Sequence, residues 1–239
     1  MATGLYLGND SRIKEILDSF FEERKKEFGE SHSLIKVTDE VKFIEATNTL
    51  AFDCIFVEHS LLPKNPNEWL VKLKKTRPSL QSPLILVGGE PDPGQLYKYV
   101  FGGWTDYLFL PPDRALVIEK FWMYTTGKRS SDIRQVYSLN MKDRASLARS
   151  ADLVELSEFD CKVKAPYSIS PGELMIIYSP TLASEDETGE GRVLGRCYHA
   201  VQDKQTGFWT MSFYFIGATD ERLKAIRQAL RRSYIASKS

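Results

Sequence analysis

The spacing of apolar and polar positions divides the chain into two parts. Up to residue 126, short apolar runs alternate with segments whose apolar residues recur every three or four positions. The runs predict five strands, at "GLYLGND", "SLIKV", "FDCIFVE", "SPLILVGG" and "TDYLFL". A helix is predicted after each strand; Asp10 is predicted to cap the first helix and Gly29 to end it. This alternation predicts a doubly wound five-stranded parallel α/β sheet, with ligands outside the carboxyl ends of its strands.

After "TTGKRSSD" the pattern changes to short alternating or apolar segments separated by Ser, Pro and Gly. They predict strands of an antiparallel barrel or sandwich at "ADLVELSEF", "CKVKAP", "ELMIIYSP", "GRVLGRCYHAV" and "GFWTMSFYFIG". A closing helix follows, with one apolar face made by Leu223, Ile226, Ala229 and Leu230. The sequence therefore predicts two domains, residues 1–127 and residues 128–239.

Composition narrows the choice of partners and compartment. The 239 residues carry 32 Lys and Arg against 32 Asp and Glu, so no overall field favours nucleic acid or an anionic membrane. The chain shows no signal-peptide pattern and no apolar stretch of about 20 residues, so we expect a cytoplasmic protein that does not enter a membrane. Three widely spaced cysteines suit reduced, packed thiols, and three histidines without close Cys/His spacing make a metal site unexpected.

The third predicted strand ends in a glutamate, Glu58, within "FDCIFVEHSLLP". Together with "SPLILVGGE" and "GGWTDYLFLPPDRALV", and with the βα order, this pattern resembles a response-regulator receiver domain over about 125 residues. The resemblance implies a phosphoacceptor pocket in which Glu58 replaces the acceptor Asp and Gly88 replaces a Ser or Thr. Leu110 stands where the family has a Lys before a Pro. Asp10, with Asn9, is the nearest remnant of the family's magnesium-binding acidic pair.

These replacements remove parts that phosphoryl transfer needs. The reaction requires an in-line nucleophile, a divalent ion and donors to the phosphoryl oxygens. The extra methylene of Glu58 moves its carboxylate by about 1.5 Å, and Gly88 and Leu110 supply no side-chain donor. We therefore expect a pseudo-receiver that accepts no phosphoryl group. Glu58 is then either a permanent mimic of the phosphorylated state or a strand-end carboxylate facing water.

The second half resembles a PilZ domain, the small barrel that binds cyclic di-GMP, in the rhythm of "ELSEFDCKVKAPYSISPGELMIIY" and in its later strands and helix. In the ligand motif implied by this resemblance, Ser157 is retained, while Glu155 and Asp160 replace Asp/Asn and Gly. Arg129 and Arg134 are five apart rather than the four of the family's arginine pair, so they are either displaced remnants or solvated linker residues. Asp160 adds a negative charge where a dianionic ligand would approach.

No catalytic motif is recognisable, since no Gly-x-Ser-x-Gly precedes a helix and the paired glycines fit no phosphate-cradling pattern. We therefore expect a non-enzymatic signalling protein, in which a pseudo-receiver and a degenerate PilZ domain act as an adaptor for other signalling proteins without a cofactor. The alternative is a cyclic di-GMP-binding effector with unusual ligand residues. A phosphorylatable regulator is a third reading.

The last helix of the first half carries two apolar stripes. Val117, Phe121 and Tyr124 are predicted to face the sheet, whereas Ile118 and Trp122 lie about 100° around the helix. With Tyr97 and Phe101 of the preceding helix, this second stripe predicts an interaction face. Because the receivers that the chain resembles often dimerise through this face, we expect a homodimer that Trp122→Glu converts to a monomer. The alternative is that the stripe packs against the protein's own barrel.

Overall fold

A computed structural model describes residues 2–89, 91, 93–126, 139–146, 150–183 and 191–236. The chain forms two compact units, Met1–Ile133 and Arg134–Ser239. The predicted boundary at residues 127 and 128, together with Arg129 and Arg134, lies outside the described residues.

The first unit alternates strands and helices throughout. Its elements are β1 (Ala2–Leu7), α1 (Arg12–Phe28), β2 (His32–Val37), α2 (Glu40–Thr49), β3 (Cys54–Glu58), α3 (Pro66–Thr76), β4 (Leu84–Gly88), α4 (Pro93–Phe101), β5 (Asp106–Phe109) and α5 (Arg114–Thr126). The strands pair in parallel in the order β2-β1-β3-β4-β5. This is a doubly wound order with a switch point beside β1, and it confirms the predicted five-stranded parallel sheet.

Local signals set the ends of α1. Gly29 ends the helix in the left-handed conformation, with φ of 69°, and its N–H donates to Lys25 O, as predicted. Ser11, which directly precedes α1, is itself in a helical conformation, with φ of −81° and ψ of −21°, and makes no side-chain cap bond. Asp10 accepts from the backbone N–H of Arg12 at 2.9 Å, which is the hydrogen bond of an N-cap, so Asp10 has the predicted capping role.

The central strands β3 and β4 are buried along their whole length, as expected for a sheet covered on both faces. One face packs into a core of aromatic and aliphatic side chains that includes Phe43, Trp69, Leu70 and Trp104. Close approach on β1 requires a glycine, because a Cβ at Gly4 would lie 2.8 Å from Leu34 Cδ1 and 3.0 Å from Phe121 Cε2.

The stripe of Ile118 and Trp122 is not an unoccupied surface, so that expectation was wrong. Ile118 is only 2% exposed. The Trp122 ring packs edge-on against Phe20 of α1, with centroids 5.9 Å apart, and against His32 at 5.6 Å. The Arg24 guanidinium lies 4.6 Å from the Trp122 ring centroid. Because α1 contacts α5, both apolar stripes of α5 pack within its own unit, with Val117, Ile118 and Phe121 buried and Trp122 half-buried.

A buried ion pair links β5 to α5. Lys120 Nζ donates to Asp106 Oδ2, and the side chains are 6% and 0% exposed. Tyr124, predicted as part of an apolar stripe, donates its hydroxyl to the same oxygen at 2.9 Å. The backbone N–H of Tyr107 donates to Asp106 Oδ1 at 2.7 Å. Both carboxylate oxygens therefore have donors, which is the condition under which a buried charge is tolerated.

The second unit contains β6 (Leu139–Ser146), β7 (Ser150–Leu156), β8 (Asp160–Ala165), β9 (Leu174–Ser179), β10 (Gly191–Gln202), β11 (Trp209–Ile216) and α6 (Asp220–Ala236). The strands pair antiparallel and form a closed barrel in the order β10-β11-β8-β7-β6-β9. This confirms an antiparallel barrel followed by a helix. The strand β6 was not predicted, because "LNMKDRAS" shows no clear apolar alternation.

Apolar side chains of facing strands fill the barrel, among them Leu153, Val163, Ile177, Met211 and Phe213. The predicted face of α6 is buried. All three cysteines of the chain are buried, as their apolar surroundings predicted. Among the described residues, no helix is long and apolar enough to cross a membrane, and no three His, Cys, Asp or Glu side chains are grouped to hold a metal ion.

Candidate functional site

Glu58 is the last residue of β3 and lies at the carboxyl edge of the sheet, 8% exposed. Its Oε2 accepts hydrogen bonds from the Tyr6 hydroxyl at 3.0 Å and from the backbone N–H groups of Asn9 at 2.8 Å and Asp10 at 3.2 Å. Its Oε1 accepts from the Ser60 hydroxyl. Both oxygens are thus bonded to donors of the same unit, and the carboxylate does not face water as a strand-end group would.

Tyr6 reaches Glu58 because β1 and β3 are neighbouring parallel strands, with Tyr6 paired to Phe56. The ring occupies space that any side chain at Gly8 would need, since a Cβ there would lie 2.1 Å from Tyr6 Cζ. Sequence reasoning missed Tyr6. The available signal was a tyrosine inside a buried strand two residues before a glycine, because a buried phenol usually has a hydrogen-bond partner.

The loop after β1 is held by cations. Lys36 Nζ donates to the carbonyls of Asn9 at 2.9 Å and Asp10 at 3.2 Å. The Asp10 carboxylate is paired with Arg12, whose Nε lies 3.0 Å from each of its oxygens. A magnesium ion prefers unpaired carboxylate oxygens. Since Asp10 is neutralised by Arg12 and an ammonium group occupies the neighbouring carbonyls, these residues do not fit the magnesium site that the receiver resemblance implies.

Burial raises the pKa of Glu58, but the hydrogen bonds from Ser60, Asp10, Asn9 and Tyr6 lower it by more, so the pKa lies below its ordinary value. Burial, followed by the charge of Glu58, raises the pKa of Tyr6. At neutral pH the carboxylate is therefore ionised, and the phenol keeps the proton that it donates.

Gly88 ends β4, and its missing side chain has a structural cause. A Cβ at this position would lie 2.6 Å from the Tyr107 hydroxyl oxygen and 3.2 Å from His59 Cβ. The Tyr107 hydroxyl donates to Gly89 O at 2.6 Å and so is fixed in place. A serine or threonine at residue 88 would require Tyr107 to move, which explains the glycine.

Leu110 follows β5 and precedes Pro111 through a cis peptide bond. Its N–H donates to Gly88 O at 2.7 Å, which joins the ends of β4 and β5. The side chain is half-buried and contains only carbon, so it supplies no cation at the edge of the sheet. The structure therefore brings the strand-end positions Glu58, Gly88 and Leu110 to one edge. A tyrosine lies beside Glu58 and another beside Gly88.

In the barrel, Ser157 and Asp160 are 0% and 2% exposed and bonded to each other. The Ser157 hydroxyl donates to Asp160 Oδ1 at 2.6 Å and accepts from the backbone N–H groups of Phe159 at 3.2 Å and Asp160 at 3.1 Å. Tyr198, which sequence reasoning missed, donates its hydroxyl to Asp160 Oδ2 at 2.9 Å. Both polar side chains are therefore covered within a hydrogen-bonded turn.

Glu155, the remaining described residue of the predicted cyclic di-GMP site, forms an ion pair with Lys162 across β7 and β8. Arg129 and Arg134 lie outside the described residues, so the arginine part of this site is not located.

Of the predicted aromatic interaction face, only the α4 part contains an exposed side chain. There Phe101 is 71% exposed, and its ring stacks on the half-buried Tyr97 with centroids 6.4 Å apart.

We predict that Gly88→Ala destabilises the wild-type protein by about 1–3 kcal/mol, because the Cβ of the alanine would lie too close to the Tyr107 hydroxyl oxygen. In a Tyr107→Phe background the cost falls below about 1 kcal/mol, since that oxygen is gone. Urea unfolding followed by tryptophan fluorescence measures both. Gly89→Ala is the matched control, because a Cβ at residue 89 meets nothing within 4 Å. Equal costs in the two backgrounds would contradict the steric explanation.

We predict that Glu58 contributes to the pH dependence of stability. Its pKa is lowered in the folded state, so its stabilising effect is present above the ordinary glutamate pKa and is lost as the pH falls through the folded value. The stability difference between wild type and Glu58→Gln therefore shrinks as the pH is lowered below the ordinary glutamate pKa of 4.5. Urea unfolding above and below this value measures it. The exposed Glu15→Gln serves as control and keeps the full pH dependence; identical profiles for all three proteins would refute the assignment.

No family model matches the sequence, and no curated protein matches it. Solved structures similar to the chain include the inhibitor of motility MotI/DgrA of Bacillus subtilis, with 14% identity and a TM-score of 0.37, covering 44% of this chain and 52% of that chain. This chain therefore spans about half the length of that protein.

Two further structures match about half of the chain. The chemotaxis response regulator CheY4 of Vibrio cholerae has 13% identity and a TM-score of 0.43, covering 52% of this chain and 98% of its own. The receiver domain of the Francisella response regulator 1452 has 19% identity and a TM-score of 0.43, covering 54% and 100%. At these identities and TM-scores the likeness assigns no function, so the functional proposal rests on this chain's own side chains.

Proposed function

We propose that the chain is a non-enzymatic signalling protein, in which a receiver-like unit that accepts no phosphoryl group and a degenerate PilZ-like barrel act as an adaptor for other proteins. The observation that carries this proposal is the Glu58 carboxylate, whose oxygens accept from Tyr6, Asn9, Asp10 and Ser60. A carboxylate held in this way is a structural group rather than a nucleophile.

The chemistry of phosphoryl transfer supports this proposal. An attacking carboxylate oxygen must be aligned with the phosphorus, and the transferred oxygens need cationic or hydroxyl donors. In this chain the oxygens of Glu58 are engaged, Gly88 and Leu110 offer no side-chain donor, and Asp10 is paired with Arg12. Each missing charge-assisted contact costs about 1.5–3 kcal/mol. Phosphoryl transfer is therefore disfavoured at the nucleophile, at the donor positions and at the magnesium position.

The same geometry favours a unit held in one conformation. Glu58 joins β3 to the loop after β1, and Lys36 of β2 bonds that same loop. Of the two readings of Glu58, a permanent mimic of the phosphorylated state and a strand-end carboxylate facing water, the near-complete burial of this residue argues against the second. Such a unit presents one surface to its partners without a covalent signal.

For the barrel, the adaptor role is favoured over the cyclic di-GMP effector. Ser157 and Asp160 satisfy each other and Tyr198, and Glu155 is paired with Lys162. A ligand contacting any of these groups would first have to displace an existing hydrogen bond or ion pair, which costs free energy.

We predict that the protein gains no phosphate when it is incubated with a small phosphodonor and magnesium. Intact-mass spectrometry measures this, with a competent receiver domain as positive control. Glu58→Asp alone should not restore acceptance, because Gly88 and Leu110 still supply no donor. A stable adduct mapped to Glu58 or Asp53 would overturn the proposal.

We predict that cyclic di-GMP binds no more tightly than tens of micromolar. Two missing arginine–phosphate contacts of about 2 kcal/mol each correspond to roughly a thousandfold in affinity. Isothermal titration calorimetry measures the constant. A submicromolar value that Arg129→Ala or Arg134→Ala abolishes would favour the effector.

We predict a homodimer through α4, because Phe101 places an exposed ring beside Tyr97. Phe101→Glu should give a monomer in sedimentation velocity at high micromolar concentration. Val41→Glu on α2 is the matched control, since Val41 is similarly exposed at 69%. A monomeric wild-type protein would contradict the dimer.

Trp122→Glu is expected to destabilise the fold, because Trp122 packs on Phe20 and Arg24.

A further inference from the structure

A polar cleft of about 320 Å³ lies at the edge of the first unit where the strands begin, at the opposite end of the sheet from Glu58. It is formed by the end of α3, the connection to β4, and the turn before β5. Its lining includes Lys74, Arg77, Gln81, Ser82, Gly103 and Thr105. Within the described part of the chain, no acidic side chain lines it.

Backbone carbonyls hold the two cations of this cleft. Lys74 Nζ donates to Gly103 O at 3.1 Å within the cleft, and Arg77 Nη2 donates to Ile44 O at 3.4 Å, a carbonyl of α2 outside the cleft lining. Gly103 has a φ of 106°, a conformation that favours glycine, and a Cβ there would lie 3.1 Å from Lys74 Nζ. The turn is thus shaped to bring a carbonyl to the ammonium group.

Among the described ion pairs, none includes Lys74 or Arg77. Each has donors beyond the one bond to a carbonyl, because an ammonium carries three and a guanidinium five. A cleft that two cations and several polar side chains line beside Pro78, Leu80, Pro83 and Leu84 is an environment that attracts anions.

We propose that this cleft binds the phosphate group of a small molecule, with Lys74 and Arg77 as its two cationic contacts. Arginine suits a tetrahedral oxyanion because its planar fork bonds two oxygens, and lysine adds a point charge. The volume falls in the range of small-molecule clefts. The site is independent of the proposed function, because it uses no residue of the Glu58 pocket or of the barrel.

Amide chemical-shift titration of the full chain at low ionic strength tests the proposal, with inorganic phosphate, AMP and adenosine as probes. We expect saturable shifts at residues 74–82 and 103–105 with a dissociation constant on the order of 1 mM for phosphate or AMP. Tighter binding of AMP than of inorganic phosphate would identify a nucleotide-like source, and the reverse the free ion. Adenosine, which lacks the phosphate, should cause no saturable shift.

Lys74→Gln is the decisive variant, because Lys74 is exposed and its replacement leaves the core unchanged. It should weaken binding about tenfold, and Arg77→Gln should do the same. Lys75→Gln is the matched control, since it removes the same charge one residue away from a side chain that does not line the cleft. An equal loss in Lys75→Gln, shifts that do not saturate, or adenosine binding as tightly as AMP would each overturn the proposal.

Discussion

The hydrogen bonds to the Glu58 carboxylate organise the carboxyl edge of the first unit. The donors come from β1, from the loop after it, and from the turn after β3. Because Glu58 is ionised and almost fully buried, loss of any donor leaves a charge with an unmet bond in a poorly solvated place. The position of Tyr6, the glycine at residue 8 and the path of the loop all follow from this requirement.

A second tyrosine closes the other side of the same edge. Tyr107 on β5 fills the space at Gly88, as Tyr6 on β1 fills the space at Gly8. Each ring requires its glycine, so each tyrosine and its glycine form a coupled pair. A site that accepts a phosphoryl group needs free space and hydrogen-bond donors directed at the ligand. At this edge the tyrosine rings occupy the space, and their hydroxyl groups donate to atoms of the protein.

Each unit contains a buried carboxylate, Glu58 or Asp160, that accepts hydrogen bonds from hydroxyl groups of its own unit. Glu58 accepts from a tyrosine and a serine hydroxyl, Tyr6 and Ser60, and Asp160 likewise accepts from Tyr198 and Ser157. In both cases, hydrogen bonds from the protein itself occupy a carboxylate at a position where the family resemblance implies contact with a ligand or a phosphoryl group. This shared chemistry is the physical basis for proposing an adaptor that works through its surfaces.

The sequence by itself determined the helices and strands of the first unit and the edge on which the first site lies, because apolar periodicity reports locally which face of a helix or strand is buried. In the second unit it determined every strand except β6. It also placed Glu58, Gly88 and Leu110 at strand ends. It could not identify Tyr6, Tyr107 or Tyr198 as partners, since each meets its counterpart only through sheet register, across 52 residues for Tyr6 and Glu58 and 38 for Tyr198 and Asp160. The packing of the buried Ile118 and the half-buried Trp122 was likewise decided by tertiary structure, because only the position of α1 beside α5 gives that second stripe an apolar neighbour.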